Sequence, residues 1–180
     1  RFGIANIGQG PFEIRGSTVY PDNSQDVVQR IYNTDGTFTD RLAGKFVYHP
    51  THNHTHFEGF AQYNLRAVTA GNGVGGLLAG GLKTSFCVLD TVKYPNIPGT
   101  PASAGYVSCT PTQQGLSVGW SDVYDKSLPE QWIDVTNIPT GRYWLEVVAD
   151  PDNHVLESND SNNAARIQID LPGSGAVFNQ

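Results

Sequence analysis

The sequence has little basic charge, almost no cysteine and no long apolar run. Eleven Lys and Arg stand against seventeen Asp and Glu, a formal net charge of −6 over 180 residues. No basic stripe is present to neutralise phosphates, which argues against nucleic-acid binding. The acidic excess suits a cationic partner or substrate instead. No run of eighteen apolar residues occurs, so no membrane span by a helix is expected. No signal peptide is visible, and the chain opens on Arg1 rather than Met, as a mature or trimmed form would. Cys87 and Cys109 make either one disulfide or two buried thiols, and the disulfide, in an extracellular setting, is the expectation. Low charge density with many Gly, Asn, Thr and Pro residues fits a secreted β protein. Nothing in the sequence bears on the oligomeric state.

Helical periodicity is scarce as well, whereas strand alternation is common. Strands are expected over residues 2–7, 11–20, 26–32, 61–68, 82–89, 131–135, 141–149 and 164–171. Asn33-Thr34-Asp35-Gly36 is a hairpin turn whose Asp-Gly tolerates positive φ. Residues 70–81 read as a Gly-rich loop, and 94–105, with Pro95, Pro98 and Pro101, as an irregular excursion. Tyr143 follows a Pro/Gly turn at a strand start, the pattern of the tyrosine corner in immunoglobulin-like sandwiches. Trp132 and Trp144 are expected in the core. The expectation is an all-β, antiparallel, sandwich-like single domain with long irregular loops, over residues 1–171, with a C-terminal tail at 172–180.

One motif is rejected. Gly71-Asn72-Gly73-Val74-Gly75-Gly76 is a literal G-x-G-x-x-G, but a dinucleotide site needs a strand before it and a helix after it. A mobile loop beside a site is the better reading.

The informative stretch is Tyr48-His-Pro-Thr-His-Asn-His-Thr-His-Phe57, which holds four of the five histidines. On an extended strand His52, His54 and His56 share a face. Residues four apart on a straight strand are roughly 13 Å apart, while metal–nitrogen bonds are about 2 Å. One metal therefore requires a bend, and Pro50 and Gly59 bracket the place for it. An all-imidazole site suits copper, zinc, iron or nickel, with copper(II) first in the affinity order. Imidazole-bound copper alone does not take two electrons and a proton from an amine carbon, so an organic cofactor is needed. A quinone made from a tyrosine side chain is the self-contained option.

The order of motifs carries a resemblance. The histidine run precedes Gly81-Leu-Lys83-Thr-Ser-Phe-Cys87, Thr112-Gln-Gln-Gly115-Leu-Ser117 and Gly119-Trp-Ser-Asp122-Val-Tyr124. Gln131-Trp132-Ile-Asp134-Val-Thr136, Pro139-Thr-Gly141-Arg-Tyr143 and Glu157-Ser-Asn-Asp-Ser-Asn162-Asn163 follow. Together they resemble the catalytic domain of the lysyl oxidase family, over residues 1–171. The resemblance implies copper on His52, His54 and His56, with His49 nearby and not a ligand. It implies a lysine tyrosylquinone from Lys83 and Tyr124. Asp122, two residues from Tyr124, is the first choice of catalytic base. Glu157, Asn159, Asn162 and Asn163 match a calcium loop, although calcium takes six to eight oxygens. The implied activity is oxidative deamination of primary amines, including peptidyl-lysine, by O2 to aldehyde, ammonia and H2O2. Two rivals belong to other classes: a non-catalytic metal-binding or adhesion sandwich, and a copper oxygenase without a quinone. Thr51 stands where animal members have a cysteine, Gln62 replaces a histidine, one residue is missing between His56 and Phe60, and cysteines are few. These departures fit a divergent, microbial member, and a collagen or elastin role is not carried over.

Overall fold

A computed structural model describes residues 2–172, and it is built from antiparallel strands. In chain order they are β1 (Phe2–Ala5), β2 (Phe12–Val19), β3 (Gln25–Tyr32), β4 (Phe38–His49), β5 (His54–Phe57) and β6 (Ala61–Thr69). There follow β7 (Gly73–Gly80), β8 (Val92–Lys93), β9 (Gln114–Leu116), β10 (Trp120–Tyr124), β11 (Gly141–Ala149) and β12 (Ala164–Leu171). Among the described residues there is no α-helix, only 3-10 turns at Ala70–Asn72 and Asp160–Asn162, so no helix is long and apolar enough to cross a membrane. The expected tail lies, from residue 173 onward, outside the described residues.

Three sheets form among these residues, in the orders β5-β4-β3-β2-β9, β12-β11-β6-β7 and β1-β10-β8. Alternation puts apolar side chains between the layers. Ile14, Val27 and Phe46 from the first sheet meet Tyr63 and Val147 from the second, with Phe57, Phe86, Val88 and Leu116 in the same cluster. This is the expected all-β, sandwich-like class.

β11 shows the rule and its exception. Leu145 and Val147 pair in register with Leu65 and Tyr63 of β6. The opposite face should be wet, yet Glu146 there is fully buried. It accepts from Arg66 Nε at 2.6 Å, Asn64 Nδ2 at 3.0 Å and Arg166 Nε. Those cations hold its carboxyl below the usual range against the opposing effect of burial. Tyr143 at the start of β11 donates to the Pro139 carbonyl at 2.7 Å, the tyrosine-corner contact expected.

Four expectations are corrected. Residues 73–80 are not loop but the edge strand β7. Its glycines permit close approach: a Cβ at Gly75 would lie 3.0 Å from the Ala67 Cβ. Residues 82–89 are not a strand; Phe86 alone bridges to Phe57. Phe86, Cys87 and Val88 are buried in succession, which period two does not allow. Residues 131–135 alternate in burial but find no partner strand beyond one bridge from Ile133 to Gly81. Asp134 instead closes a turn, accepting from Thr136 N and Oγ. Trp132 is therefore not core but 55% exposed. Trp144 is half-buried and donates to Gly73 O at 3.2 Å. No strand was expected over 38–49, yet β4 runs unbroken from Phe38 into the histidine stretch. It bends at Gly44, where φ is +126° and a Cβ would press the Phe57 ring at 3.2 Å.

Candidate active site

The histidines gather because β4 turns back on itself within four residues. His49 ends β4 and pairs directly with His54, the first residue of β5. The reversal occupies Pro50–Asn53, closed by His52 N and Asn53 N donating to His49 O, with Asn53 at φ +55°. Asn tolerates that left-handed conformation better than most residues. The bend that a single metal requires is thus present, within the stretch that Pro50 and Gly59 bracket, with Asn53 at its turning point.

His52 rides on the turn while His54 and His56 project from one face of β5. His56 Nε2 lies 2.9 Å from His54 Nε2 and 3.4 Å from His52 Nδ1. Two nitrogens each about 2 Å from one ion sit roughly 3 Å apart, so the spacing fits. Among the described residues, this is the one group of three or more His, Cys, Asp or Glu side chains whose ligand atoms converge, all within 4.8 Å. Burial, then the charge of Lys83, pushes His56 down to about 3. His52 and His54 are lowered too, chiefly by burial. All three therefore offer lone pairs rather than protons at neutral pH. The His49 ring stacks on His52 and His56 at 4.7 Å, with Nδ1 turned to Thr51 Oγ at 3.1 Å.

The segment from Lys83 to Cys87 joins this cluster to the other expected residues. Ser85 Oγ is 3.3 Å from His56 Nδ1, which leaves Nε2 to face the other histidines. Phe86 is fixed by paired backbone bonds with Phe57. The Lys83 Nζ lies 5.5 Å from the Phe86 ring centroid, and the Tyr124 ring meets Phe86 edge-on at 4.8 Å. The Cys87 carbonyl accepts the Tyr124 hydroxyl. A disulfide from Cys87 to Cys109, with Cα atoms 5.4 Å apart, anchors the end of the segment; of the two readings left open for these cysteines, this one holds.

Lys83 is buried, 6% exposed, and pairs with Glu130 at 3.3 Å. Tyr124 comes from β10, and Asp122, two residues earlier, is 2% exposed. Neither Asp122 oxygen makes a well-formed hydrogen bond. Burial pushes its carboxyl up to about 8, opposed by the nearby Tyr124 hydroxyl and Leu89 amide. Burial, with Asp122 adding to it, also raises Tyr124 above the usual phenol range. A carboxyl kept basic in a dry pocket has the character of a general base.

The 83–87 segment thus carries Lys83 and contacts His56 and Tyr124, with His52 and His54 beside His56 and Asp122 on the same strand as Tyr124. The model of the lysyl oxidase family matches residues 27–180. The chain belongs to the lysyl oxidase family. Lysyl oxidase homolog 1 of Homo sapiens is 34% identical over 149 residues, 81% of this chain and 24% of that protein. Lysyl oxidase homolog 4 of Mus musculus is 33% identical over 147 residues, 80% of this chain and 18% of its own length. Protein-lysine 6-oxidase of Sus scrofa is 34% identical over 154 residues, 82% of this chain and 57% of that protein. The chain therefore spans between 18% and 57% of the length of these relatives.

The fourth group of this lysyl oxidase family chain stands apart. Asn159 Oδ1 caps a 3-10 turn, accepting from Ser161 N and Oγ, and Asn163 Nδ2 donates to Glu157 Oε1 at 2.9 Å. Two of the four expected calcium donors are thereby engaged within the loop. Sequence reasoning missed Ser85 and Glu130. Ser85 was within reach, since it stands two residues after Lys83 in a quoted motif. Glu130 gave no signal, because its partner is 47 residues away.

Proposed function

We propose that this protein is a copper-dependent amine oxidase that oxidises primary amines, peptidyl-lysine among them, with O2. The observation that carries the reading is that one five-residue segment, Lys83 to Cys87, contacts a histidine of the cluster through Ser85 and Tyr124 through Cys87 and Phe86. Lys83 and Tyr124 thus both meet the Phe86 ring, and Ser85 of the same segment meets His56. Overall, amine, O2 and water become aldehyde, ammonia and H2O2.

His52, His54 and His56 would hold copper, and Lys83 and Tyr124 would be the precursors of the quinone. Copper and the quinone supply the two-electron oxidation that no unmodified side chain performs. Phe86 lies against both Lys83 Nζ and the Tyr124 ring. The Cys87 carbonyl fixes the phenol oxygen of Tyr124. Asp122 takes the proton from the carbon bearing the amine, a task its buried carboxylate oxygens suit. Glu157, Asn159, Asn162 and Asn163 would give a calcium ion part of its shell, with the remaining oxygens from elsewhere. The disulfide fits an oxidising, extracellular setting.

The test is to load copper in air and add phenylhydrazine. A visible adduct in the parent and none in Lys83→Ala supports the reading. Amine turnover that survives Lys83→Ala favours a copper oxygenase without a quinone. No colour and no turnover in the parent favours a metal-binding module.

A further inference from the structure

Asp122 is buried, yet a base must give up each proton it takes before it can act again. A cleft opens beside Tyr124 and reaches solvent at the exposed Trp132 and Lys126. Asp122 is not among its walls, whereas Tyr63 is. The two side chains nonetheless converge on one place. Asp122 and Tyr124, two apart on β10, share a face of that strand. The Phe86 ring meets Tyr124 at 4.8 Å and Tyr63, from β6, at 5.9 Å, both edge-on. Phe2, the register partner of Tyr124, stacks on Tyr63 at 4.9 Å. The Tyr63 ring is therefore held between Phe2 and Phe86, next to the strand that carries the carboxyl.

Few groups can carry a proton away from Asp122. The titratable groups that interact with it are Tyr124, Asp90 and Tyr63. The Tyr124 hydroxyl is committed to the Cys87 carbonyl and belongs to the reaction itself. Asp90 is occupied by Gly105 N, Tyr106 N, Ser117 N and Ser117 Oγ. The Leu89 amide near Asp122 donates but does not accept. The Tyr63 hydroxyl is uncommitted: the residue is 5% exposed, and among the described residues its hydroxyl makes no hydrogen bond. A phenol O–H accepts one proton while donating another. Burial, then the charge of Asp122, raises the Tyr63 phenol above its ordinary range, so it passes protons without ionising.

We propose that the Tyr63 hydroxyl is the relay through which Asp122 exchanges protons with the cleft. The proposal rests on the functional reading above, in which Asp122 is the base. The Asp122 carboxyl O–H gives its proton to Tyr63 Oη as the Tyr63 O–H gives its own to water in the cleft. Asp122 returns to a carboxylate, Tyr63 stays a neutral phenol, and no electron moves. No hydrogen bond joins the two at rest, so each transfer includes a side-chain rotation.

Tyr63→Phe tests this, because it removes one oxygen, breaks no hydrogen bond and keeps the ring between Phe2 and Phe86. In copper-free protein the Asp122 carboxyl carbon is followed by NMR, its signal assigned by its loss in Asp122→Asn. Near the midpoint, about 8, acid and carboxylate forms should exchange at least tenfold more slowly in Tyr63→Phe, seen as a broadened signal at a little-changed midpoint. In copper-loaded protein, kcat should fall at least fivefold and its solvent deuterium isotope effect should rise, while KM and the yield of peptide joining Lys83 to Tyr124 hold. On an Asp122→Asn background the same substitution should change the residual kcat less than twofold, because no carboxyl proton is left to relay. Unchanged exchange at Asp122, or an equal fall in kcat on both backgrounds, overturns the relay. Slowed exchange in Tyr63→Phe with no linked peptide or turnover in the parent keeps the relay and overturns the functional reading instead.

Discussion

His56 and Ser85 are 29 residues apart in the chain and 3.3 Å apart in space, Nδ1 to Oγ. That contact ties the histidine cluster to the segment that carries Lys83 and ends at the Cys87 carbonyl beneath Tyr124. A ligand's second nitrogen usually has such a partner, which fixes ring orientation and tautomer.

Ser85→Ala should therefore weaken copper binding about 10- to 100-fold, the range for loss of an outer partner. Competition with a chelator of known affinity measures it. An unchanged affinity would mean that the hydroxyl does not orient His56.

Asp122 should set the pH dependence. As a base it must be ionised, and its carboxyl is pushed up to about 8. The rate under limiting amine should rise with pH through that value, and Asp122→Asn should lose most activity along with that limb. Stability runs the other way. The folded value lies above the unfolded one, so the folded state binds the extra proton between about 4 and about 8, and stability is lost as pH rises through that window. Asp122→Asn does not pay this, so its melting temperature relative to the parent should climb by at least about 3 °C between pH 4 and pH 9. A constant difference across that range would show that Asp122 does not change charge there.

Much of the scaffold was legible and part of it was not, for physical reasons. The bounds expected for β11 and β12, 141–149 and 164–171, match, because both are rich in β-formers and lie side by side over eight register pairs. β7 was read as loop because a Gly-rich edge strand carries no alternation; its pairing comes from how closely β6 can approach. Residues 82–89 read as a strand by composition, but Phe86, Cys87 and Val88 are all turned inward by contacts with Phe57, the disulfide and the core. Trp132 was assigned to the core by residue type alone, and only the missing partner strand leaves it exposed.

The candidate site divides in the same way. The histidines and the need for a bend could be read from spacing, whereas the place of the bend depends on Asn53 reaching positive φ. Lys83, Tyr124 and Asp122 are neighbours only through β10 and the 83–87 segment, so periodicity alone could not join them. The resemblance did, and the geometry brings Lys83 and Tyr124 to the Phe86 ring. Glu130 was invisible because nothing local marks a residue whose partner is on another loop.

Glu130→Gln should make the Lys83–Tyr124 link form faster, about 2- to 10-fold. Glu130 holds Lys83 Nζ at 3.3 Å, and removing that partner frees Nζ to turn toward the Tyr124 ring. Quantifying linked peptide by mass at intervals after copper addition in air checks this. A slower rate would mean that Glu130 positions Lys83 for the reaction rather than holding it back.

Opening the disulfide should cost stability and position together. Cys87 and Cys109 are separated by 22 residues, and closing a loop of that size is worth about 3 kcal/mol. Cys87→Ser with Cys109→Ser should melt roughly 6–12 °C lower and form less linked peptide, because the Cys87 carbonyl no longer sits firmly beneath Tyr124. A lower melting temperature with full linked-peptide yield would separate the two roles.

The central claim is that Lys83 and Tyr124 become one covalent unit beside three histidines. It is tested most directly by reloading the protein with copper in air, digesting it and mapping its peptides by mass. The account predicts a single peptide pair joined through Lys83 and Tyr124, absent without copper and absent when His56 is replaced by Ala. Separate, unmodified Lys83 and Tyr124 peptides after full copper loading would contradict it.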